Sequence, residues 1–113
     1  GRIINVSSVA GLTGDLKRAN YAAAKAGLVG LTKAVARDLA GFGITVNAVA
    51  PGYVETPFLA GLPETTRKRM LENVPLKRFA EPEEVAELIA FLAGENAGYI
   101  TGTVLVIDGG LHM

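Results

Sequence analysis

The 113-residue chain has no cysteine and no tryptophan, a single histidine, and aromatic residues at only 6% of its positions. Without cysteine, disulfides, thiolate chemistry and Cys-ligated zinc are excluded within it. The one histidine, His112, leaves little from which to build a metal site, and none is expected. Net charge is missing as well, because 11 Lys and Arg balance 11 Asp and Glu. General binders of nucleic acid or anionic membrane need a basic excess, so neither partner is expected. No run of about 18 apolar residues occurs, which argues against a transmembrane helix. With no secretory signal in view, the expected location is cytoplasmic.

What remains is an ordinary globular composition, 50% hydrophobic and 19% charged. The chain opens on Gly1, and Arg2-Ile3-Ile4-Asn5-Val6 already reads as a strand. A strand with no lead-in, left with an open edge, is expected to belong to a larger sheet. Residues 1–113 are therefore read as the C-terminal part of one domain whose N-terminal part, with further strands, lies outside the chain.

Periodicity and punctuation divide the chain into alternating elements. Arg2 to Ser7 is β-branched-rich and predicted as a strand. Ser8 to Arg18 is predicted as a loop punctuated by Gly11 and Gly14. Asn20 to about Ala40 is rich in helix-forming alanine and leucine, with Gly41 and Gly43 as terminators. Ile44 to Ala50 is a second, mostly apolar strand, broken by Pro51-Gly52. Val54 to Pro63 reads as a loop, and Glu64 to Asn73 as a short polar helix. Pro82 suits the first turn of a further helix, with Glu83 and Glu84 at its positive end. Val85, Leu88, Ile89 and Leu92 then form its core face. Thr103 to Ile107 is a third strand, closed by Asp108-Gly109-Gly110. Strands separated by helices imply right-handed crossovers, hence an α/β fold: part of a doubly wound, parallel-sheet Rossmann architecture, with three strands and flanking helices.

The chemistry centres on Tyr21-Ala22-Ala23-Ala24-Lys25. Tyr21 and Lys25 are i and i+4 on a helix and share a face. A lysine ammonium close to a phenol favours the phenolate, which makes the phenol an easier proton donor. The three alanines between them leave room for a flat ring. Alone, Y-x-x-x-K is a common pattern that also fits an aromatic ring packed on a lysine stem. The context is Ser8 just after a strand, 13 residues before Tyr21, and Pro51-Gly52 closing the next strand with Thr56 beyond.

Taken in order, Ile4-Asn5-Val6-Ser7-Ser8, Gly11, Gly14, Tyr21 to Gly27, Ile44 to Gly52, Tyr99-Ile100-Thr101-Gly102 and Asp108-Gly109-Gly110 resemble the short-chain dehydrogenase/reductase family along the whole chain. The resemblance is strongest to its 3-oxoacyl-(acyl-carrier-protein) reductase branch. It implies NAD(P)-dependent interconversion of a carbonyl and a secondary alcohol. Tyr21 would be the general acid or base, and Lys25 would support it and hydrogen-bond the nicotinamide ribose. Ser8, at the family spacing and on the opposite face from Ser7, would hold the substrate carbonyl oxygen. Pro51 and Gly52 would line the nicotinamide, while the Val54 backbone and the Thr56 hydroxyl would hold its carboxamide. The Ala-rich helix and the last strand would form interfaces of a homodimer or homotetramer.

Some family features are missing. No G-x-G-x-x-G loop occurs, so the phosphate-binding turn, the ribose-selecting residue and the catalytic asparagine would lie upstream of Gly1. NADP and NAD both remain open as cofactor. The isolated chain is expected to be inactive. Phe42 stands where carrier-protein reductases often have a basic residue, which leaves both acyl-carrier and other small-molecule carbonyl substrates open. Arg67, Lys68, Arg69, Lys77 and Arg78 read either as a solvated face or as a dock for an acidic carrier protein. Phe58, Leu59 and Leu62 read either as a lid over an apolar substrate or as plain packing. A serine hydrolase is disfavoured because there is no G-x-S-x-G elbow. A truncated, non-enzymatic assembly module is the remaining alternative.

Overall fold

The computed structural model describes residues 1–14 and 18–113, without the side chains of Leu12 and Thr13. Three strands form one parallel sheet in the order β1-β2-β3: Arg2–Val6, Thr45–Pro51 and Val104–Ile107. Arg2 pairs with Thr45 and Val6 with Val49, while Ala48 pairs with Val104 and Pro51 with Ile107. The apolar run expected to be buried on both faces is the central strand. Thr45 through Ala50 are all buried, as a parallel strand covered by helices on both sides requires.

Five α-helices complete the chain among the described residues: α1 (Ala10–Thr13), α2 (Ala19–Leu39), α3 (Pro57–Ala60), α4 (Glu64–Glu72) and α5 (Pro82–Ala93). On one side of the sheet, Leu92 and Ala97 form a buried cluster with Val49, and Ile4, Val85, Leu88, Ile89, Ile100, Leu105 and Ile107 pack around it. The i, i+3, i+4, i+7 stripe of α5 therefore faces the core as its spacing implied. The start of α5 is held by Glu84, whose carboxylate accepts the Glu81 N–H at 2.9 Å and pairs with Arg78 at 2.6 Å.

On the other side α2 is pinned to β1 by polar bonds. Asn5 Nδ2 donates to Thr32 Oγ1 at 2.9 Å, and that hydroxyl donates to Leu28 O at 2.6 Å. Ser7 Oγ donates to Lys25 O at 2.8 Å, and Lys25 Nζ donates back to Val6 O at 3.2 Å. Asn47, 1% exposed on β2, holds the segment before β3. Its Nδ2 donates to Ile100 O at 2.9 Å, and its Oδ1 accepts from Thr103 N at 3.2 Å and Thr103 Oγ1 at 2.8 Å.

Several loop assignments are corrected. Part of the predicted Ser8–Arg18 loop is α1, which stacks on α2; residues 15–17 of that loop lie outside the described residues. The contact requires Gly11, where a Cβ would stand 2.8 Å from the backbone of Lys25 and Ala26. The predicted Val54–Pro63 loop contains α3, begun by Thr56, whose Oγ1 accepts the Leu59 N–H at 3.2 Å. Leu59 is buried there and is packing, whereas Phe58 is exposed. Gly41 does not end α2; it sits in a 3-10 turn, Ala40–Phe42, that Gly43 closes in the left-handed conformation. Among the described residues no helix is long and apolar enough to cross a membrane.

The accessible surface, 7041 Å², exceeds the roughly 5,900 Å² expected of a monomer of this mass. The radius of gyration, 15.2 Å, exceeds the expected value of about 13 Å. Apolar side chains account for part of the excess: Ile3 and Val6 on β1, Leu31 on α2, Phe58 on α3, and Phe42, Leu76 and Tyr99 on connections are all exposed.

Two outcomes follow for the full-length protein. Asn47→Ala removes from a buried side chain the bonds to the Ile100 carbonyl and the Thr103 N–H, and should cost about 2 kcal/mol in urea denaturation. The Arg78 guanidinium, helped by the Glu81 N–H, lowers the Glu84 carboxyl from an ordinary 4.5 to about 2. A depressed carboxyl stabilises the fold above its unfolded value and loses that contribution as pH falls through the folded one. Glu84→Gln should therefore melt below wild type at pH 7, with the gap closing between pH 4.5 and 2.

Candidate active site

The C-terminal ends of β1 and β2 open onto one cleft of about 480 Å³. Ser8, Val9, Ala10 and Tyr21 line one side, Pro51, Gly52 and Tyr53 another, and Leu111, His112 and Met113 a third. Crevices beyond the carboxyl ends of parallel strands are where open α/β sheets bind ligands. Strand pairing explains the meeting of distant residues. Beyond the Val6–Val49 pair, Ser7 N–H donates to Val49 O at 2.7 Å and Val9 N–H to Pro51 O at 3.0 Å. The Ser8 turn is thereby fastened to the end of β2.

Ser7 and Ser8 part as their alternation implied. Ser7 is buried with its hydroxyl on α2, while Ser8 is half-buried and faces the cleft. Ser8 Oγ also accepts the Ala10 N–H at 3.2 Å, so it caps the turn into α1 as well. A hydroxyl that accepts one bond keeps its proton for a second partner.

Tyr21 stands on the first turns of α2, with the Arg18 guanidinium 4.0 Å and Lys25 Nζ 5.6 Å from its ring centroid. Lys25 does not line the cleft; its stem runs behind Tyr21 to Val6 O. That bond occupies one of three ammonium protons.

Pro51 and Gly52 reach the cleft, whereas Val54 and Thr56 lie beyond its lining. Gly52 allows β3 to end close by: a Cβ there would stand 2.7 Å from Asp108 Cβ. Val54 pairs with Ala80 through a bridge whose bonds use Tyr53 O and Glu55 N. Its own N–H and C=O therefore point away from Ala80.

The basic run is not one feature. Arg67 is fixed by a two-pronged pair with Glu55 at 3.0 and 3.1 Å, by Leu59 O at 2.7 Å, and by the Phe79 ring. The Arg67 bond holds the Glu55 carboxyl below its ordinary value. Arg78 is likewise committed to Glu84. Neither reading of the run survives whole, since Arg67 is structural and only Lys68, Arg69 and Lys77 stay exposed without such pairs among the described residues. Sequence reasoning also passed over His112. Considered from sequence only as a poor start for a metal site, it lies against the cleft with Nδ1 2.7 Å from Asp108 Oδ2. The i, i+4 spacing of Asp108 and His112 across two glycines was the available signal. Among the described residues no cluster of three or more His, Asp or Glu could hold a metal ion.

A family model described as enoyl-(acyl carrier protein) reductase matches residues 1–112. The chain is 55% identical over 111 residues to a 3-oxoacyl-(acyl-carrier-protein) reductase of Thermotoga maritima, covering 98% of this chain and 45% of the relative. It is 49% identical over 113 residues to an acetoacetyl-CoA reductase of Allochromatium vinosum, covering 100% and 46% respectively. It is also 49% identical over 112 residues to nodulation protein G of Azospirillum brasilense, covering 99% and 46%. The chain spans about half the length of the curated relatives it matches. With a family model matched along almost its whole length, a three-stranded parallel sheet with flanking helices, and Ser8 and Tyr21 on one cleft, the chain belongs to the short-chain dehydrogenase/reductase family.

Proposed function

We propose that the protein carrying this chain is a nicotinamide-dependent oxidoreductase that interconverts a ketone and a secondary alcohol, acting on 3-oxoacyl thioesters of an acyl carrier protein or of coenzyme A. The observation that carries the reading is the convergence of Ser8, Tyr21, Pro51 and Gly52 on one cleft, with Lys25 one helical turn behind Tyr21. The names of the Thermotoga and Allochromatium relatives support the substrate class.

In the reducing direction Ser8 Oγ donates a hydrogen bond to the substrate carbonyl oxygen and fixes its position. Tyr21 Oη delivers a proton to that same oxygen as its negative charge develops. Lys25, held against β1 by its bond to Val6 O, keeps its ammonium on the phenol's side of the helix. In the oxidising direction the same phenol takes the proton back.

The donor set suits a nicotinamide nucleoside, NADP or NAD. Lys25 has ammonium protons left for ribose hydroxyls, and Val54 has an N–H and a C=O turned away from its bridge for a carboxamide. Thr56 and the Pro51-Gly52 turn complete that side. The bound nicotinamide supplies or accepts the hydride. Residues outside these 113 hold its phosphates, in keeping with the absence of a glycine-rich phosphate turn from the chain and with the share of each relative that the chain covers. The protein acts in the cytoplasm as a homodimer or homotetramer. The exposed face of α2, with Gly27, Leu31 and Ala34, supports one interface.

Tyr21→Phe in the full-length enzyme should lower kcat by about 10²- to 10⁴-fold, the usual share of a general acid, with melting temperature and KM little changed. Steady-state reduction of acetoacetyl-CoA reads this out, and unchanged kcat would remove Tyr21 from the chemistry. The isolated 113-residue chain, mixed with cofactor and the same substrate, should show no turnover, because it cannot position the dinucleotide.

A further inference from the structure

Residues 108–113 build a second polar device on the cleft. β3 delivers Asp108, and Gly109 and Gly110, at φ 63° and 92°, turn the chain back across the end of the sheet. The turn is tied by Leu111 N–H to Asp108 O at 3.2 Å and Met113 N–H to Gly110 O at 3.0 Å. The Asp108 side chain is only 6% exposed and gathers three bonds. Its Oδ1 accepts Gly110 N–H at 2.9 Å; its Oδ2 accepts His112 N–H at 3.0 Å and lies 2.7 Å from His112 Nδ1. Burial works against its charge, but the N–H groups of His112 and Gly110 and the imidazole outweigh burial and hold the carboxyl below its ordinary value.

An ionised carboxylate only accepts hydrogen bonds, so the proton of this pair sits on Nδ1. Nε2 is left for another partner, and no group among the described residues bonds it. Fixing one ring nitrogen to a carboxylate is how a histidine's tautomer and orientation are set for work at the other. The work is not the proton transfer assigned to Tyr21 or the oxygen grip assigned to Ser8. Position selects the substrate side. Ser8 and Tyr21 line the cleft with His112; of the residues assigned to the cofactor only the Pro51-Gly52 turn, which would meet the reacting nicotinamide ring, does so, while Lys25, Val54 and Thr56 do not. Val9, Tyr53, Leu111 and Met113 give the same cleft apolar walls suited to an acyl chain.

We propose that His112 is a specificity-determining residue of the cleft, whose Nε2 accepts a hydrogen bond from an amide N–H on the thioester arm that carries the 3-oxoacyl group, and that Asp108 is the positioning residue that aims it. The proposal rests on the reductase reading above and adds to it the part of the substrate beyond the reacting ketone.

Two substrates and two near-isosteric variants test it in the full-length enzyme. Acetoacetyl-CoA has amides on its arm, and ethyl acetoacetate has none. His112→Asn keeps a donor where Nδ1 was and loses the Nε2 position; His112→Gln places an acceptor near Nε2. His112→Asn should raise KM for acetoacetyl-CoA about five- to tenfold, the worth of one hydrogen bond, with kcat within about twofold. KM for ethyl acetoacetate should stay within about twofold. His112→Gln should recover most of the loss, and Asp108→Asn should reproduce it. Wild-type KM in His112→Asn, or equal losses on both substrates, overturns the proposal and leaves the reductase reading intact. Absence of turnover by the wild-type enzyme on either substrate overturns both. If His112→Asn does not melt as a folded protein, His112→Phe read against His112→Gln on the same two substrates decides the matter in the same way.

Discussion

Lys25 is held to β1 at both ends. Its backbone carbonyl accepts from Ser7 Oγ, and its ammonium donates to Val6 O. One turn earlier on the same helix stands Tyr21, and one residue after Ser7 stands Ser8. The two bonds therefore do more than dock a helix on a sheet: they fix the helix rotation and height that set the phenol relative to the serine hydroxyl. Asn5 and Thr32 repeat the anchorage farther along α2, where an amide–hydroxyl bond at 2.9 Å resists rotation about the helix axis. Gly11 closes the arrangement from above, because only a residue without Cβ lets α1 settle on the backbone of Lys25 and Ala26. Positioning to within a fraction of an ångström is what such a site needs, and polar bonds with directional demands supply it better than apolar contact.

The regular elements were legible in the sequence because their signals are local. The β-branched run at Arg2–Val6, the alanines of α2 and the apolar stripe of α5 each state a period that needs no distant partner. That Ser8, Tyr21, Pro51 and Gly52 share one cleft was also legible, since the family pattern spans the chain in order. What escaped depends on tertiary partners. α1 and α3 are single turns of four residues, too short for periodicity to register, and exist because Gly11 meets α2 and Thr56 caps Leu59. Arg67 looked like one cation among five, and only the fold brings Glu55, Leu59 O and Phe79 around it. Asn47 sat unnoticed in an apolar strand, though its three bonds organise residues 100–103.

The two faces of the sheet are held in different ways. Against α5 the contact is apolar, built on Val49, Leu92 and Ala97, a surface that tolerates small adjustments of shape. Against α2, hydrogen bonds from Asn5 to Thr32 and from Ser7 to Lys25 O join the packing of small residues such as Ala36 and Ala48. The division places the stiffer bonding beside the cleft and the more adaptable packing on the opposite side. It also leaves α2 with a second, exposed side of alanine, glycine and leucine, whose small side chains would let another helix approach closely.

Gly52 and Asp108 touch across the end of the sheet, with room between them for no more than a hydrogen. One wall of the cleft therefore rests on residues synthesised more than fifty positions later. A nascent chain can form the helix bearing Tyr21, and even pair β1 with β2, while that wall is still missing. The contact that completes the pocket joins parts far apart along the chain, the kind that forms late because its loop entropy must be overcome first. The cleft is therefore complete only once β3 has docked, and until then Ser8 and Tyr21 lack the wall that Leu111, His112 and Met113 supply.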